Sequence, residues 1–287
     1  MKTLGYFPGC SLEGGGIELD LSVRAIAKAA GVELREIEDW NCCGASAAHS
    51  LNHFLAVALP YRVLALAESQ GLSEVLAPCA ACFSRLKGTQ VRLARSPEMS
   101  QRTQEVVQRP YQGGVRIINI NEFMASLLEA GLAQKLTRRL GLKVAAYYGC
   151  LLSRGQDIVT GDDAEDPKGM EAAIRAAGCE ALPWNSANEC CGGGFSMSKT
   201  GSVLDLSQAV LDEARAAGAD AIVTGCPMCH SNLDMRQLEL VKRRRVPGAL
   251  PILYLSELLG LAAGLEPAAL GLDRHFIESR GLVRGGV

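Results

Sequence analysis

One pattern of five cysteines occurs twice in this chain, and a repeat of that length dictates a fold built twice over. The first copy is Cys10, then Cys42-Cys43-Gly44, then Cys79-Ala80-Ala81-Cys82. The second is Cys150, then Cys190-Cys191-Gly192, then Cys226-Pro227-Met228-Cys229. The intervening segments are 31 and 35 residues long in the first copy and 39 and 34 in the second. Each copy offers five thiols, one more than a tetrahedral zinc site or an ordinary four-iron cluster takes.

The segments between the cysteines follow one order in both halves. A short apolar strand leads to the first cysteine (residues 4–10 and 144–150). A helix follows (17–30 and 169–177). The first carries Leu19, Val23, Ile26, Ala27 and Ala30 on one face; the second has Pro167 near its start and Gly178 as its stop. A second strand (32–37 and 179–184) precedes Cys-Cys-Gly. Another helix (54–70 and 204–217) then ends at Gly71 or Gly218, where a left-handed cap is expected. A third strand (75–79 and 221–226) runs into Cys-x-x-Cys. A closing strand and helix complete each half, at 116–120 and 122–130, then at 250–255 and 257–264. The alternation predicts an α/β protein of two pseudo-symmetric, Rossmann-like halves with parallel sheets. The cysteines then fall at the carboxyl ends of strands, where open α/β sheets place ligands. The expected boundaries are a first domain core at 1–112 closed by 113–142, a second domain at 143–265, and a C-terminal tail at 266–287. The stretch 84–112 is polar and reads as part of the boundary between the halves.

Compartment decides what clustered cysteines mean. The N-terminal residues contain no apolar stretch of signal-peptide length, and no run approaches the roughly 20 apolar residues of a membrane span. The net charge of −2 favours neither nucleic acid nor an anionic membrane. A cytoplasmic protein with reduced thiols is expected, so the cysteines bind metal or do redox chemistry rather than form a disulfide scaffold. Cys179 lies outside both sets and reads as a buried small hydrophobe. Iron–sulfur clusters are held by cysteine thiolates and move single electrons. Adjacent cysteines in an extended loop point in different directions and reach different irons, so a fifth thiolate can bridge irons or open the cubane. Gly44 and Gly192 permit backbone angles that other residues resist. Zinc is the chemical competitor: Cys-Cys plus Cys-x-x-Cys makes a four-thiolate site in either half and leaves Cys10 or Cys150 over. A thioredoxin-like Cys-x-x-Cys leaves three cysteines per half without a role.

The duplicated motif resembles the CCG-domain family, and within it the B-type subunit of heterodisulfide reductase. The resemblance rests on Tyr147-Tyr148-Gly149-Cys150, Glu189-Cys190-Cys191-Gly192, and Cys226 to Asp234 with Arg236-Gln237, together with 254–261. It covers essentially the whole chain. It implies two non-cubane [4Fe-4S] clusters, one on Cys10, Cys42, Cys43, Cys79 and Cys82, the other on Cys150, Cys190, Cys191, Cys226 and Cys229. It also implies reductive cleavage of a disulfide, each cluster supplying one electron and transiently binding one thiol sulfur. The implied partners are a small ferredoxin-like C-type subunit and a flavin-containing A-type subunit. Two positions depart from the methanogen pattern: Leu151 stands where histidine is common, and Gly44 where proline is. Relatives in lactate-, glycolate- and quinone-linked or sulfur-oxidising complexes imply an alternative, a pure electron-transfer subunit with no disulfide. No Gly-x-Gly-x-x-Gly follows an initial strand, so reducing power is expected to arrive from a partner.

A few other residues carry candidate chemistry. His230, next to Cys229, is a candidate proton donor to a leaving thiolate. Lys199 and Arg154 follow second-half cysteines and are candidates for meeting an anionic substrate group. His49 and His53 share i, i+4 spacing without a further ligand in register, which favours a structural role. The run Lys242-Arg243-Arg244-Arg245 is expected in water at a helix end, complementing the helix dipole.

Overall fold

The computed structural model describes residues 2–45, 48–155 and 157–283. In the first half, β1 (Lys2–Tyr6), α1 (Gly9–Leu12), α2 (Ile17–Ala30), β2 (Val32–Glu36), α3 (Ala48–Leu51), α4 (Leu55–Ser69), β3 (Glu74–Leu76), α5 (Ala80–Arg95), α6 (Pro97–Val107), β4 (Arg116–Ile118) and α7 (Ile120–Glu129) follow in order. The second half runs β5 (Lys143–Tyr147), α8 (Gly169–Ala176), β6 (Glu180–Ala181), α9 (Thr200–Ala216), β7 (Ala221–Thr224), α10 (Pro227–Lys242), β8 (Ile252–Tyr254) and α11 (Leu255–Ala262). The two four-stranded sheets have orders β2-β1-β3-β4 and β6-β5-β7-β8, which is one topology used twice, and every pairing is parallel. The expected α/β repeat is therefore the observed one.

The strands stop short of the cysteines. β1 ends at Tyr6 and β5 at Tyr147, because Gly9 and Gly149 turn the chain with φ of +64° and +60°. Pro8 then opens the short helix α1, which carries Cys10. The expected caps are present: Gly71 and Gly218 have φ of +74° and +81°. Helices α5 and α6 occupy most of the stretch that reads as polar boundary. The i, i+4 pairing of His49 and His53 does not form, since α3 ends at Leu51 and leaves His53 in the following turn.

One apolar core runs through both sheets and their helices. The halves join by exchange of helices: α7 of the first half packs on α8 of the second, and α11 of the second packs on α2 of the first. Ser22 of α2 and Ser256 of α11 are both fully buried there, with their hydroxyls 2.7 Å apart. The segment after α11 folds as short 3-10 turns, Pro267–Leu270, Leu272–Arg274 and Arg280–Val283, and the first of them packs on α2. No helix among the described residues is long and apolar enough to cross a membrane.

Candidate cysteine-rich cofactor sites

Each set gathers its five cysteines from three segments that follow the carboxyl ends of adjacent parallel strands. In the first, Cys10 Sγ lies 3.7 Å from Cys42 Sγ, and Cys43 Sγ lies 3.3 Å from Cys82 Sγ. In the second, Cys191 Sγ lies 3.5 Å from Cys229 Sγ. The adjacent cysteines do diverge: Cys43 and Cys191 are buried, while Cys42 and Cys190 are half-buried. The glycine behind each pair turns back with φ of +74° or +81°, and its N–H donates to the sulfur of Cys42 at 3.4 Å or of Cys190 at 3.3 Å. A side chain at Gly44 has no room, because its Cβ would stand 2.7 Å from Ala48 Cβ. Gly9 and Gly149 sit as tightly: a Cβ there would come within 2.8 Å of Cys82 Sγ or 2.9 Å of Cys229 Sγ.

Exposure divides the two sets alike. Cys43, Cys79 and Cys82 are buried, as are Cys191, Cys226 and Cys229; Cys10 and Cys42, and Cys150 and Cys190, reach the surface. Crowded thiols share protons unevenly. Cys43 is held down at about 3 by hydrogen bonds from Cys42 and then Cys82, while Cys42 and Cys82 are pushed up in return. Cys191 is lowered to about 7, first by its contact with Cys229, and burial raises Cys150 to about 11. The metal-free thiols cannot all ionise together, whereas coordination deprotonates a thiol outright. A donor set of soft sulfurs brought together at the strand ends fits thiolate-bound metal.

The sets lie along the seam between the halves. Six residues after Cys10, Gly16 meets Pro227, the neighbour of Cys226, so closely that a Cβ would stand 2.9 Å from Pro227 Cβ. Reciprocally, the loop after Cys150 meets α5: Asp157 pairs with Arg95 at 2.9 Å, and Gly88 faces Ile158. A cleft of about 240 Å³ opens there, lined by Arg85, Arg92 and Arg95 on one side and Gly155 and Ile158 on the other.

His230 is buried, stacks on Tyr254 at 4.2 Å, and places Nε2 3.2 Å from the Ile252 carbonyl. Burial, then the neighbouring His275, pushes its pKa well below the usual imidazole value, so it is neutral. Lys199 is exposed, 5.8 Å above the Phe195 ring, and Arg154 is exposed with its N–H on the Cys150 carbonyl. Arg243 pairs with Glu239, and Arg245 with Asp205 at 2.6 Å. Cys179 is buried beside β6. Sequence reasoning gives no individual role to three residues near the sulfurs. Asn232 donates to the Cys191 carbonyl at 3.1 Å and approaches its Sγ at 3.7 Å. Tyr147 donates to the Glu189 carbonyl at 2.7 Å. Arg85 contributes its charge to the lowering of Cys43. It also passes over a buried polar cluster in which His230, Glu257 and His275 bring ligand-type atoms within 4.8 Å of one another.

Comparison with known proteins agrees with this architecture. The cysteine-rich domain family, CCG, matches residues 4–87 and again 144–234. The chain belongs to that family, as a protein with two such domains. It is 31% identical over 280 residues to the 8-methylmenaquinol:fumarate reductase membrane anchor subunit of Wolinella succinogenes, covering 97% of this chain and 98% of that one. It is 28% identical over 286 residues to the B-type subunit of the ferredoxin/F(420)H(2)-dependent CoB-CoM heterodisulfide reductase of Methanosarcina acetivorans, covering 97% and 95%. Among solved structures, a hypothetical protein from Helicobacter pylori superposes with a TM-score of 0.77 at 15% identity. That match covers 98% of this chain and 53% of the other, and it bears on the fold alone.

Proposed function

We propose that this chain is the iron–sulfur subunit of a heterodisulfide reductase-like complex and that a disulfide is split in its seam. The observation that carries the reading is the division of each set into three buried and two surface-reaching thiols, with both sets along one seam. The buried thiols anchor a cofactor, and the open edge admits a substrate sulfur. Cys10, Cys42, Cys43, Cys79 and Cys82 would hold one four-iron cluster, and Cys150, Cys190, Cys191, Cys226 and Cys229 the other. When bound, the clusters supply single electrons. The reaction balances as RSSR′ + 2 e⁻ + 2 H⁺ → RSH + R′SH, so two one-electron centres match the stoichiometry. The electrons come from ferredoxin-like and flavin-containing partner subunits, and the chain works in the cytoplasm. Arg85 and Arg92, at the mouth of the cleft, supply positive charge near the seam. His230, buried and neutral, acts on packing rather than as the proton donor, so protons reach the departing thiolates from water.

A second reading is favoured by one finding: the 31% identical relative is named for a quinol:fumarate reductase. On that reading the clusters relay electrons and no disulfide binds. Anaerobically purified protein should contain about eight irons with matching sulfide and no zinc. Added thiol or disulfide should then perturb the cluster spectrum. An unchanged spectrum with full iron leaves the relay reading; about four irons with one zinc removes the two-cluster scission.

A further inference from the structure

The halves repeat their cysteines but not what surrounds them. Aligned on Cys-x-x-Cys, Asn232 of α10 takes the position of Arg85 of α5, and Arg236 that of Thr89. Aligned on Cys-Cys-Gly, Ser196 takes the position of Ala48. In the second half these residues form a relay. Arg236 donates to the Ser196 carbonyl at 2.8 Å, and Ser196 Oγ stands 2.8 Å from Asn232 Oδ1. Asn232 Nδ2 in turn donates to the Cys191 carbonyl and reaches its sulfur. With its oxygen on a hydroxyl and its nitrogen on a carbonyl, the amide is locked in one orientation. Asn232 is 1% exposed, so its dipole acts in a low-dielectric setting. The first half has none of this: alanine and threonine replace the relay, and Phe7 stands where Tyr147 brings a hydroxyl. What it has instead is the Arg85 guanidinium, half-buried at the edge of the cleft.

We propose that the two cysteine sets are non-equivalent by construction, Asn232 being the positioning residue that orients Cys191 and tunes the second cluster, while Arg85 tunes the first by charge. The proposal rests on the reading that each set holds an iron–sulfur cluster, and not on a disulfide being the substrate. Hydrogen bonds to cluster sulfurs and nearby charge both set reduction potentials. A donor aimed at a thiolate sulfur withdraws electron density and favours the reduced cluster, and so does a cation. Removing either should lower one midpoint only.

The test is a potentiometric titration followed by electron paramagnetic resonance, run on the full chain with iron counted for every variant. Wild type should show two resolvable midpoints. Asn232→Leu, close in size but without a donor, should lower one and leave the other. Arg85→Gln should lower the other. Ser196→Ala, which frees the Asn232 amide without touching a cysteine, should move the same midpoint as Asn232→Leu in the same direction by less. If Asn232→Leu costs iron, Ser196→Ala carries the test alone. Midpoints that shift together, or not at all, in variants with full iron overturn the proposal. An iron count of about four in the wild type would instead overturn the two-cluster reading beneath it.

Discussion

At the scale of single residues, the sites depend on two glycines as much as on ten cysteines. Gly9 and Gly149 combine positive φ with a close approach to a buried sulfur. A methyl group at either meets Cys82 or Cys229 while the backbone takes a strained angle costing on the order of 1–3 kcal/mol. Gly9→Ala and Gly149→Ala should each remove about half of the bound iron, and the double variant nearly all, as metal analysis on anaerobically purified protein will show. A loss of all iron from one single variant would mean that the halves do not load independently. The cysteines are legible in the sequence because their order repeats. His230 is not, because its position beside Cys229 says nothing about which way its ring turns. That is decided by Tyr254 and Ile252, more than twenty residues away.

At the scale of elements, strand and helix order is readable from hydrophobic periodicity, and the ends are not. The strands stop at Tyr6 and Tyr147 because proline, glycine and tyrosine shape the turn before the cysteine, a feature without period. Helix α6 escapes the pattern altogether, although Ser96-Pro97 announces it: Ser96 Oγ accepts from the Met99 N–H and Pro97 takes the first turn. Its weakly apolar sequence buries little beyond Thr103, so periodicity alone hides it. Closing helix α7 has a stronger signal. Asn119 accepts from the N–H groups of Asn121 and Glu122, while Glu122 accepts from the Asn119 N–H, a reciprocal box at the end of β4. Asn119→Ala should cost about 1 kcal/mol, read as a lower urea midpoint at unchanged slope. Since α7 packs on the second half, the loss should appear in the whole unfolding transition rather than in a partial one.

At the scale of the molecule, the last segment is a strap. His275 places Nε2 2.9 Å from Glu257, and its Nδ1 lies 3.0 Å from Ser279 Oγ. Asp234 accepts from the N–H groups of Phe276 and Ile277. Burial pulls the His275 imidazole down, but the hydrogen bond to Glu257 and the charges of Glu257, Asp234 and Glu18 outweigh it and leave its pKa raised. The folded chain thus holds this proton more tightly than the unfolded one. The contribution is complete below the ordinary imidazole value of about 6.5 and is lost as pH rises through the raised one. Burial also pushes Glu257 and Asp234 up, which acts in the same sense at lower pH. The melting temperature should fall as pH rises above about 6.5, and His275→Gln should flatten that slope; a slope unchanged in the variant would place the titration elsewhere. None of this is legible in the sequence, because the segment after α11 has no periodicity and residues 267–279 take their partners from α2, α10 and α11. The exchange of closing helices between the halves has a consequence of its own. Each cysteine set is built on its own half's strands, yet each half needs the other's helix to cover it. Two chains that exchanged halves through the loop before β5 would keep the helix contacts between halves, giving a reciprocal dimer. In such a dimer, a chain crippled by Gly9→Ala and one crippled by Gly149→Ala would together re-create one sound seam and one doubly broken one, so two inactive proteins refolded as a mixture would recover part of what neither has alone.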